Sequence, residues 1–151
     1  RQLGARVEQY PTDKDATDLE LALDVVAALG ATTVTVIGAG GGRLDHLVGG
    51  LHLLAAPAWS TMRITAFVGP ARVTVVHDHV ELAGAADSIV TLLAVGGTAA
   101  GVTTTGLRWT LTDDALHATS TRGVSNEVTH SPFTVQVRIG TLLAIQPTGG
   151  R

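Results

Sequence analysis

The feature that most constrains the fold is a run of β-branched residues at positions 32–37, set between two glycines. The run reads Thr-Thr-Val-Thr-Val-Ile and lies between Gly30 and Gly38. β-Branched side chains favour extended backbone. A continuous run of this kind is typical of a strand that is covered on both faces in a parallel sheet. We therefore predict a buried central strand, which needs helices to cover it.

Helices are predicted on both sides of this run. Before it, apolar residues within 19–29 recur at helical spacing, and Thr17 or Asp15 can act as the N-terminal cap. After it, a glycine-rich turn at 38–42 leads into a second predicted helix at 44–56. Helix, strand and helix in this order indicate an α/β unit.

The remaining strands are predicted as short β-branched runs. They lie at 6–9, 63–68, 73–77, 88–94, 101–105, 135–138 and 142–146. No helical stretch follows residue 80, which is typical of a small all-β sandwich or barrel. We predict about half of a doubly wound α/β sheet at 1–72 and an all-β domain at 73–151. Half a sheet exposes an edge strand, which further N-terminal residues or a partner chain should cover.

Composition excludes several classes of protein. The 151 residues are 45% hydrophobic and 15% charged, which argues against disorder. The net charge is −3 and no basic stripe is present, so nucleic-acid binding is not expected. No apolar run is long enough to span a bilayer, and the lack of cysteine excludes disulfides and thiolate sites. We expect a cytosolic protein without a membrane anchor, trimmed or taken from a longer product because it starts at Arg1.

Two polar segments are predicted at strand-to-helix junctions, where open α/β sheets bind ligands. One follows the glycine-rich turn and contains Arg43 and Asp45. A glycine turn and a helix N-terminus offer backbone N–H groups to anions, and an arginine adds a planar fork for phosphate oxygens. The other segment supplies carboxylates, a hydroxyl and the lone lysine of the chain: Asp15, Asp18, Thr17 and Lys14. Together these groups indicate magnesium-nucleotide chemistry, that is phosphoryl or pyrophosphoryl transfer.

Competing motif interpretations fail on spacing. The turn lacks the third glycine of a dinucleotide-binding fingerprint because Arg43 stands there, and no Gly-Lys-Ser/Thr triplet marks a P-loop. His77 and His79 lie at a strand end, where alternation places both on one exposed face. Without a third ligand they fit ordinary surface histidines better than a metal site. His52 and His117 are interpreted in the same way.

Three sequence blocks in a fixed order point to a known family. They are Tyr10-Pro11-x-x-Lys14-Asp15-x-Thr17-Asp18-x-Glu20-x-Ala22-Leu23, Gly41-Gly42-Arg43-x-Asp45-His46 and Gly123-Val124-Ser125-Asn126-Glu127. A fourth stretch, Gly101-Val102-x-x-x-Gly106-Leu107-Arg108-Trp109-x-Leu111, precedes the last block. In these blocks the chain resembles the thiamine pyrophosphokinase family, whose members make thiamine diphosphate from thiamine and ATP. The resemblance implies an incomplete Rossmann-like α/β catalytic domain, followed by an all-β sandwich that helps bind thiamine.

The resemblance also implies roles for the two polar segments. Asp18 would organise Mg²⁺ and the reaction centre, and Arg43 would bind phosphate. Asp45 would orient the thiamine hydroxyl or hold the metal. The implied nucleotide-binding residues are Lys14, Asp15, Thr17, Gly41 and Gly42.

In the second half, Ser125 and Asn126 would lie near thiamine, contributed across a homodimer whose active sites lie between subunits. Trp109 would stack on a thiamine ring, because a flat cation suits an indole face. Trp109 also alternates with Leu107 and Leu111, so a place in the core is an equally good interpretation.

Two departures from the family pattern leave other hypotheses open. Family members begin further upstream, with an acidic Gly-Asp-x-Asp-Ser turn that supplies Mg²⁺ ligands, so we expect this chain to be N-terminally truncated. The family carries an asparagine where this chain has Gly50, next to Gly49, which suggests a weakened or closely packed helix. One alternative is a noncatalytic relic that binds thiamine or a nucleotide. Another is a structural or interaction domain in which the blocks form only turns and caps.

Overall fold

Two α-helices and nine strands make up the part of the chain that the computed structural model describes, residues 9–11, 13–38 and 42–147. The helices are α1 (Asp18–Ala28) and α2 (Leu44–Leu54), followed by a single 3-10 turn at Pro57–Trp59. The strands are β1 (Thr33–Ile37), β2 (Arg63–Val68), β3 (Ala71–Val76), β4 (His79–Leu82), β5 (Ile89–Thr105), β6 (Asp114–Leu116), β7 (Asn126–Glu127), β8 (Phe133–Gln136) and β9 (Ile139–Pro147). Neither α-helix has the length and apolar content needed to cross a bilayer. The strand predicted at 6–9 falls largely outside the described residues.

Local sequence explains where the two helices begin and end. The Thr17 hydroxyl caps α1 by accepting a hydrogen bond from the backbone N–H of Glu20 at 3.3 Å, as expected of a threonine cap. Helix α2 ends at Leu54, earlier than the predicted residue 56. The reason is Pro57, which forces the preceding Ala56 into extended backbone with a ψ of 141°.

One continuous, curled sheet runs through both halves of the chain, in the order β1-β2-β3-β9-β5-β8-β4. Strands β1 and β2 pair in parallel, and the pairs that follow along this order are antiparallel. Two cores lie on opposite faces of the central strands. On β9, Leu143 faces the core beneath the helices, whereas Leu142 and Ala144 face the core of the β-rich half. The predicted boundary between residues 72 and 73 falls inside β3, which belongs to this shared sheet.

The prediction of a central strand covered on both faces is wrong for the described chain. Strand β1 is the edge of the sheet there, with β2 as its neighbour. Val34 and Val36 pack under the helices, but Thr33, Thr35 and Ile37 point outward and Ile37 is 81% exposed. The physical reason is that α1 and α2 cover the same face. One parallel pair with two helices leaves a mostly β fold, so the Rossmann-like description is not established by these residues.

The second half is all β, as predicted, but the prediction divides its longest strand into two. The runs predicted at 88–94 and 101–105 belong to a single strand, β5, which extends from Ile89 to Thr105. Register shifts between Val95 and Ala100, and again between Ala100 and Val102, mark β-bulges in its pairings. Such bulges bend a strand without ending it, so the glycines that suggested turns instead accompany the curl of the sheet.

Two glycines make a matched pair for testing the packing. An added Cβ at Gly123 would lie 2.1 Å from the backbone oxygen of Leu92, whereas one at Gly49 meets nothing within 4 Å. We expect Gly123→Ala to lower the free energy of unfolding by about 1–3 kcal/mol through overpacking. Gly49→Ala should raise it by up to about 1 kcal/mol, because alanine is the better helix former. Urea denaturation measures both, and equal stabilities for the two variants would contradict the described packing.

Candidate active site

The two polar segments meet around one cleft beside the N-terminal ends of α1 and α2. Its volume is about 620 Å³. The first segment contributes Lys14, Thr17 and Asp18, and the second contributes Asp45. The other lining residues are Ala16, Leu19, Glu20, His46, Gly49, Gly50 and Leu53. Two segments that are 25 or more positions apart in sequence therefore share one solvent-accessible space.

Lys14 is the best-anchored cation of this cleft. Its ammonium group forms an ion pair with Asp18, the first residue of α1, and lies over the Tyr10 ring, 5.8 Å from the ring centre. The Lys14 side chain is only 24% exposed, whereas that of Asp18 is 91% exposed. The lysine charge is therefore held in place, while the Asp18 carboxylate stays open to a ligand.

Arg43 and Asp45 form a two-point ion pair at the start of α2. The Arg43 Nε donates to Oδ1 of Asp45 at 3.1 Å, and Nη2 donates to Oδ2 at 2.5 Å. This hydrogen bonding, with Arg43 as the main cause, lowers the pKa of the Asp45 carboxyl below its ordinary value of 3.8. Arg43 itself is exposed and does not line the cleft; it acts on the cleft through Asp45. Asp45 is thus a carboxylate at neutral pH.

The remaining predicted nucleotide residues are placed less centrally. Asp15 is exposed and does not line the cleft. Gly42 has a left-handed φ of 83° just before Arg43, where glycine is favoured. Gly41 lies outside the described residues.

Sequence reasoning left several lining residues out of the predicted site. Glu20, His46 and Gly49 line the cleft, and an added Cβ at Gly50 would lie 3.6 Å from the Leu19 side chain. A Cβ would therefore fit at Gly50 in ordinary van der Waals contact, and the two glycines leave this part of the cleft wall without side chains. The adjacent glycine pair within an otherwise helical pattern was the available signal.

The carboxylates of the cleft determine which kind of metal site it could form. The described residues contain no group of three or more His, Asp or Glu side chains that could hold one. Mg²⁺ bound together with a nucleotide needs fewer protein ligands, because it takes one or two carboxylates and completes its coordination shell with phosphate oxygens and water. Asp18 and Asp45 meet that smaller requirement, since both are exposed carboxylates on the cleft wall.

A second group of predicted residues lies in the β-rich half, and none of its members lines the cleft. Trp109 is 54% exposed between buried Leu107 and Leu111. The interpretation of Trp109 as a core residue is therefore wrong, because residues 107–111 do not form a regular strand and alternation does not apply. Ser125 is exposed, has a left-handed φ of 59°, and donates its backbone N–H to Thr91 Oγ1 at 3.0 Å.

Asn126, by contrast, is buried, with 6% of its surface exposed. Its Nδ2 donates to the Trp109 carbonyl at 2.7 Å, and its Oδ1 accepts from the Trp109 N–H at 3.1 Å and the Glu127 N–H at 2.9 Å. The Glu127 carboxylate pairs with Arg108 at 2.8 Å, which raises the pKa of the guanidinium. These contacts tie the last of the three sequence blocks to the loop that carries Trp109.

The two histidines flank Asp78 at the junction of β3 and β4 and differ in burial. His77 follows the last residue of β3, and His79 begins β4, so strand alternation does not relate them. Half-buried His77 contacts Thr141 Oγ1 through Nδ1 at 3.2 Å, and burial lowers its pKa. His79 is exposed, and the prediction that both share one exposed face is wrong.

Comparison with known proteins gives matches in both halves. Residues 1–66 match the family "Thiamin pyrophosphokinase, catalytic domain", and residues 79–142 match "Thiamin pyrophosphokinase, vitamin B1 binding domain". The thiamine pyrophosphokinase of Bacillus subtilis (strain 168) is 27% identical over 148 residues, which cover 92% of this chain and 66% of that protein.

Solved structures agree with the sequence matches. A crystal structure of thiamine pyrophosphokinase from Bacillus subtilis superposes with a TM-score of 0.80 at 25% identity, covering 90% of this chain and 65% of that one. One of thiamin pyrophosphokinase from Geobacillus thermodenitrificans gives 0.78 at 32% identity, with coverages of 93% and 65%. The chain thus spans just under two thirds of the length of these relatives.

Both matches are to domains of one class of protein, a kinase with a vitamin-binding domain. The model of its catalytic domain matches first in the chain, and the model of its vitamin B1 binding domain follows. The chain belongs to the thiamin pyrophosphokinase family.

The Arg43–Asp45 pair can be tested by titration. Because Arg43 stabilises the ionised carboxylate, Arg43→Ala should raise the pKa of Asp45 back towards 3.8. Carboxyl-carbon NMR of the wild type and the variant measures this shift. Arg122→Ala is the control, since Arg122 pairs with Asp114 and should leave the Asp45 titration unchanged. An Asp45 pKa that ignores the loss of Arg43 contradicts the ion pair.

Proposed function

We propose that this chain transfers pyrophosphate from ATP to thiamine, giving thiamine diphosphate and AMP. The observation that carries the proposal is the cleft, in which Lys14, Asp18 and Asp45 lie together in a chain whose two halves match a catalytic and a vitamin-binding segment. The relatives with which it aligns are themselves named thiamine pyrophosphokinases.

The chemistry is a displacement at phosphorus. The hydroxyethyl oxygen of thiamine forms a bond to the β-phosphorus of ATP, and the bond from that phosphorus to the oxygen bridging to the α-phosphate breaks. AMP leaves with the bridging oxygen, and the hydroxyl proton passes to a base. Such transfers depend mainly on positioning and on stabilising the charge that develops on the phosphates.

Residues of the cleft have the charges that this step needs. Lys14 contributes a fixed positive charge for the triphosphate, and the Thr17 hydroxyl lies at the same wall. Arg43 is exposed beside Asp45, so its guanidinium can exchange part of its carboxylate contact for a phosphate. Asp45 is ionised and is suited to orient the thiamine hydroxyl and accept its proton. Gly41, Gly42 and Asp15 are proposed to complete the nucleotide contacts.

Magnesium is proposed as the required ion, with Asp18 and Asp45 as the carboxylates that would hold it. When bound, Mg²⁺ neutralises phosphate charge and aligns the triphosphate. The chain's own contribution is to place both carboxylates in ion pairs, Asp18 with Lys14 and Asp45 with Arg43.

A homodimer is proposed as the active form, with Trp109 and Ser125 of one subunit serving the cleft of the other. The exposed positions of both residues, away from the cleft of their own chain, support this arrangement. The outward face of β1, with Ile37 exposed, supports the further proposal that a larger, Rossmann-like sheet surrounds residues 1–72. The cytoplasm is the proposed location, because ATP is the proposed co-substrate.

An assay for AMP formation tests the proposed reaction. We expect AMP and thiamine diphosphate to form in equal amounts, only when thiamine, ATP and Mg²⁺ are all present. Asp45→Asn should lower kcat by about a hundredfold or more, as the loss of a positioned base does. Asp18→Asn should raise the Mg²⁺ concentration needed for half-maximal rate.

Asp24→Asn is the matched control for these variants. Asp24 lies on the same helix as Asp18 but is exposed away from the cleft, so kcat and the Mg²⁺ requirement should stay at wild-type values. AMP release that does not depend on thiamine, or a folded protein that forms no thiamine diphosphate, would refute the proposal.

A further inference from the structure

Trp109 is held by contacts that are unusual for an exposed aromatic residue. Its indole is more than half exposed, yet its backbone N–H and carbonyl are both bound by the buried amide of Asn126. The Asn126 amide thus pairs with both backbone polar groups of Trp109, as the backbone of a neighbouring strand would in a sheet. The loop therefore cannot rotate Trp109 inward without leaving buried polar groups unpaired, which is costly.

The indole ring has a second restraint on its face. The Arg108 guanidinium lies over the ring, 5.0 Å from its centre, and is itself held by the Glu127 carboxylate. The backbone N–H of Arg108 also donates to the Glu127 carbonyl at 2.9 Å. Stacking of a guanidinium on indole is favourable by itself, and the ion pair prevents Arg108 from moving away. Arg108 thus covers one ring face, while Trp109 as a whole stays more than half exposed.

We infer that Asn126 and Arg108 are positioning residues, which hold the Trp109 indole so that the face that Arg108 does not cover stacks on a flat aromatic ring of the substrate. This inference rests on the proposed function, with thiamine as that substrate. The Asn126 amide is bound to the protein's own backbone and is buried, so it acts through Trp109 and not by contact with thiamine.

A double-mutant cycle separates action through Trp109 from direct contact with thiamine. Asn126→Asp keeps the shape and the acceptor oxygen but loses the donor to the Trp109 carbonyl. We expect thiamine Kd, measured by calorimetry, to rise about tenfold, as for loss of a buried hydrogen bond. In a Trp109→Ala background the same substitution should change Kd little. A tenfold loss that persists in that background overturns the inference.

Arg108→Gln is the second variant, and it needs no change in the buried cluster. Arg108→Gln should weaken thiamine binding in a protein that retains Trp109, and it should have no effect on binding in the Trp109→Ala background. Arg122→Gln is the matched control, because it also removes a surface ion pair of the β-rich half, with Asp114, and has no contact with Trp109. Equal effects of the two arginine substitutions would overturn a positioning role for Arg108.

Tryptophan fluorescence gives a readout that needs no ligand. The other tryptophan, Trp59, is 7% exposed, so acrylamide quenching reports mainly on Trp109, and Trp109→Phe supplies the background. Both positioning variants should increase quenching and lower the anisotropy of Trp109. Unchanged fluorescence overturns the inference even if thiamine binds. If the fluorescence changes as expected but wild-type protein does not bind thiamine, the proposed function fails and the positioning of Trp109 stands.

Discussion

The pairing of β3 with β9 is the interaction on which the rest of the structure depends. Successive side chains of a strand point to opposite faces, so β9 can serve two cores at once. Leu143 packs beneath the helices, and its neighbours Leu142 and Ala144 pack in the β-rich half. The pairing runs from Ala71–Pro147 to Val76–Leu142, and a shift by one residue would exchange the two faces. The cores of both halves therefore depend on one register.

Elements with a strong local pattern could be predicted from sequence, and faces that depend on distant parts of the chain could not. Strand β2 matches its predicted bounds, and α1 begins after the predicted cap, Thr17. The outward face of β1 was misjudged, because a β-branched run specifies extended backbone but not what covers it. Strand β5 was divided in two, because glycine marks a bulge and a turn alike.

In the candidate site, too, local features could be predicted from sequence and contacts between distant residues could not. The Arg43–Asp45 pair joins residues two positions apart, and the Lys14–Asp18 pair joins residues four positions apart, so both are local contacts between polar residues that the sequence analysis singles out. The hold of Asn126 on Trp109 spans seventeen positions across an irregular loop, for which no periodicity exists. Sequence reasoning therefore identified the polar groups of the cleft but not the cluster that keeps an aromatic ring exposed.

A sheet that is continuous through both halves also restricts how the molecule can move. Swinging one half away from the other would require the six residue pairs of β3 and β9 to separate, together with the two cores that share them. Hinge closure of the kind seen in clamshell-shaped enzymes is therefore not available between these halves. Any rearrangement of the described chain therefore has to leave the β3–β9 pairing intact.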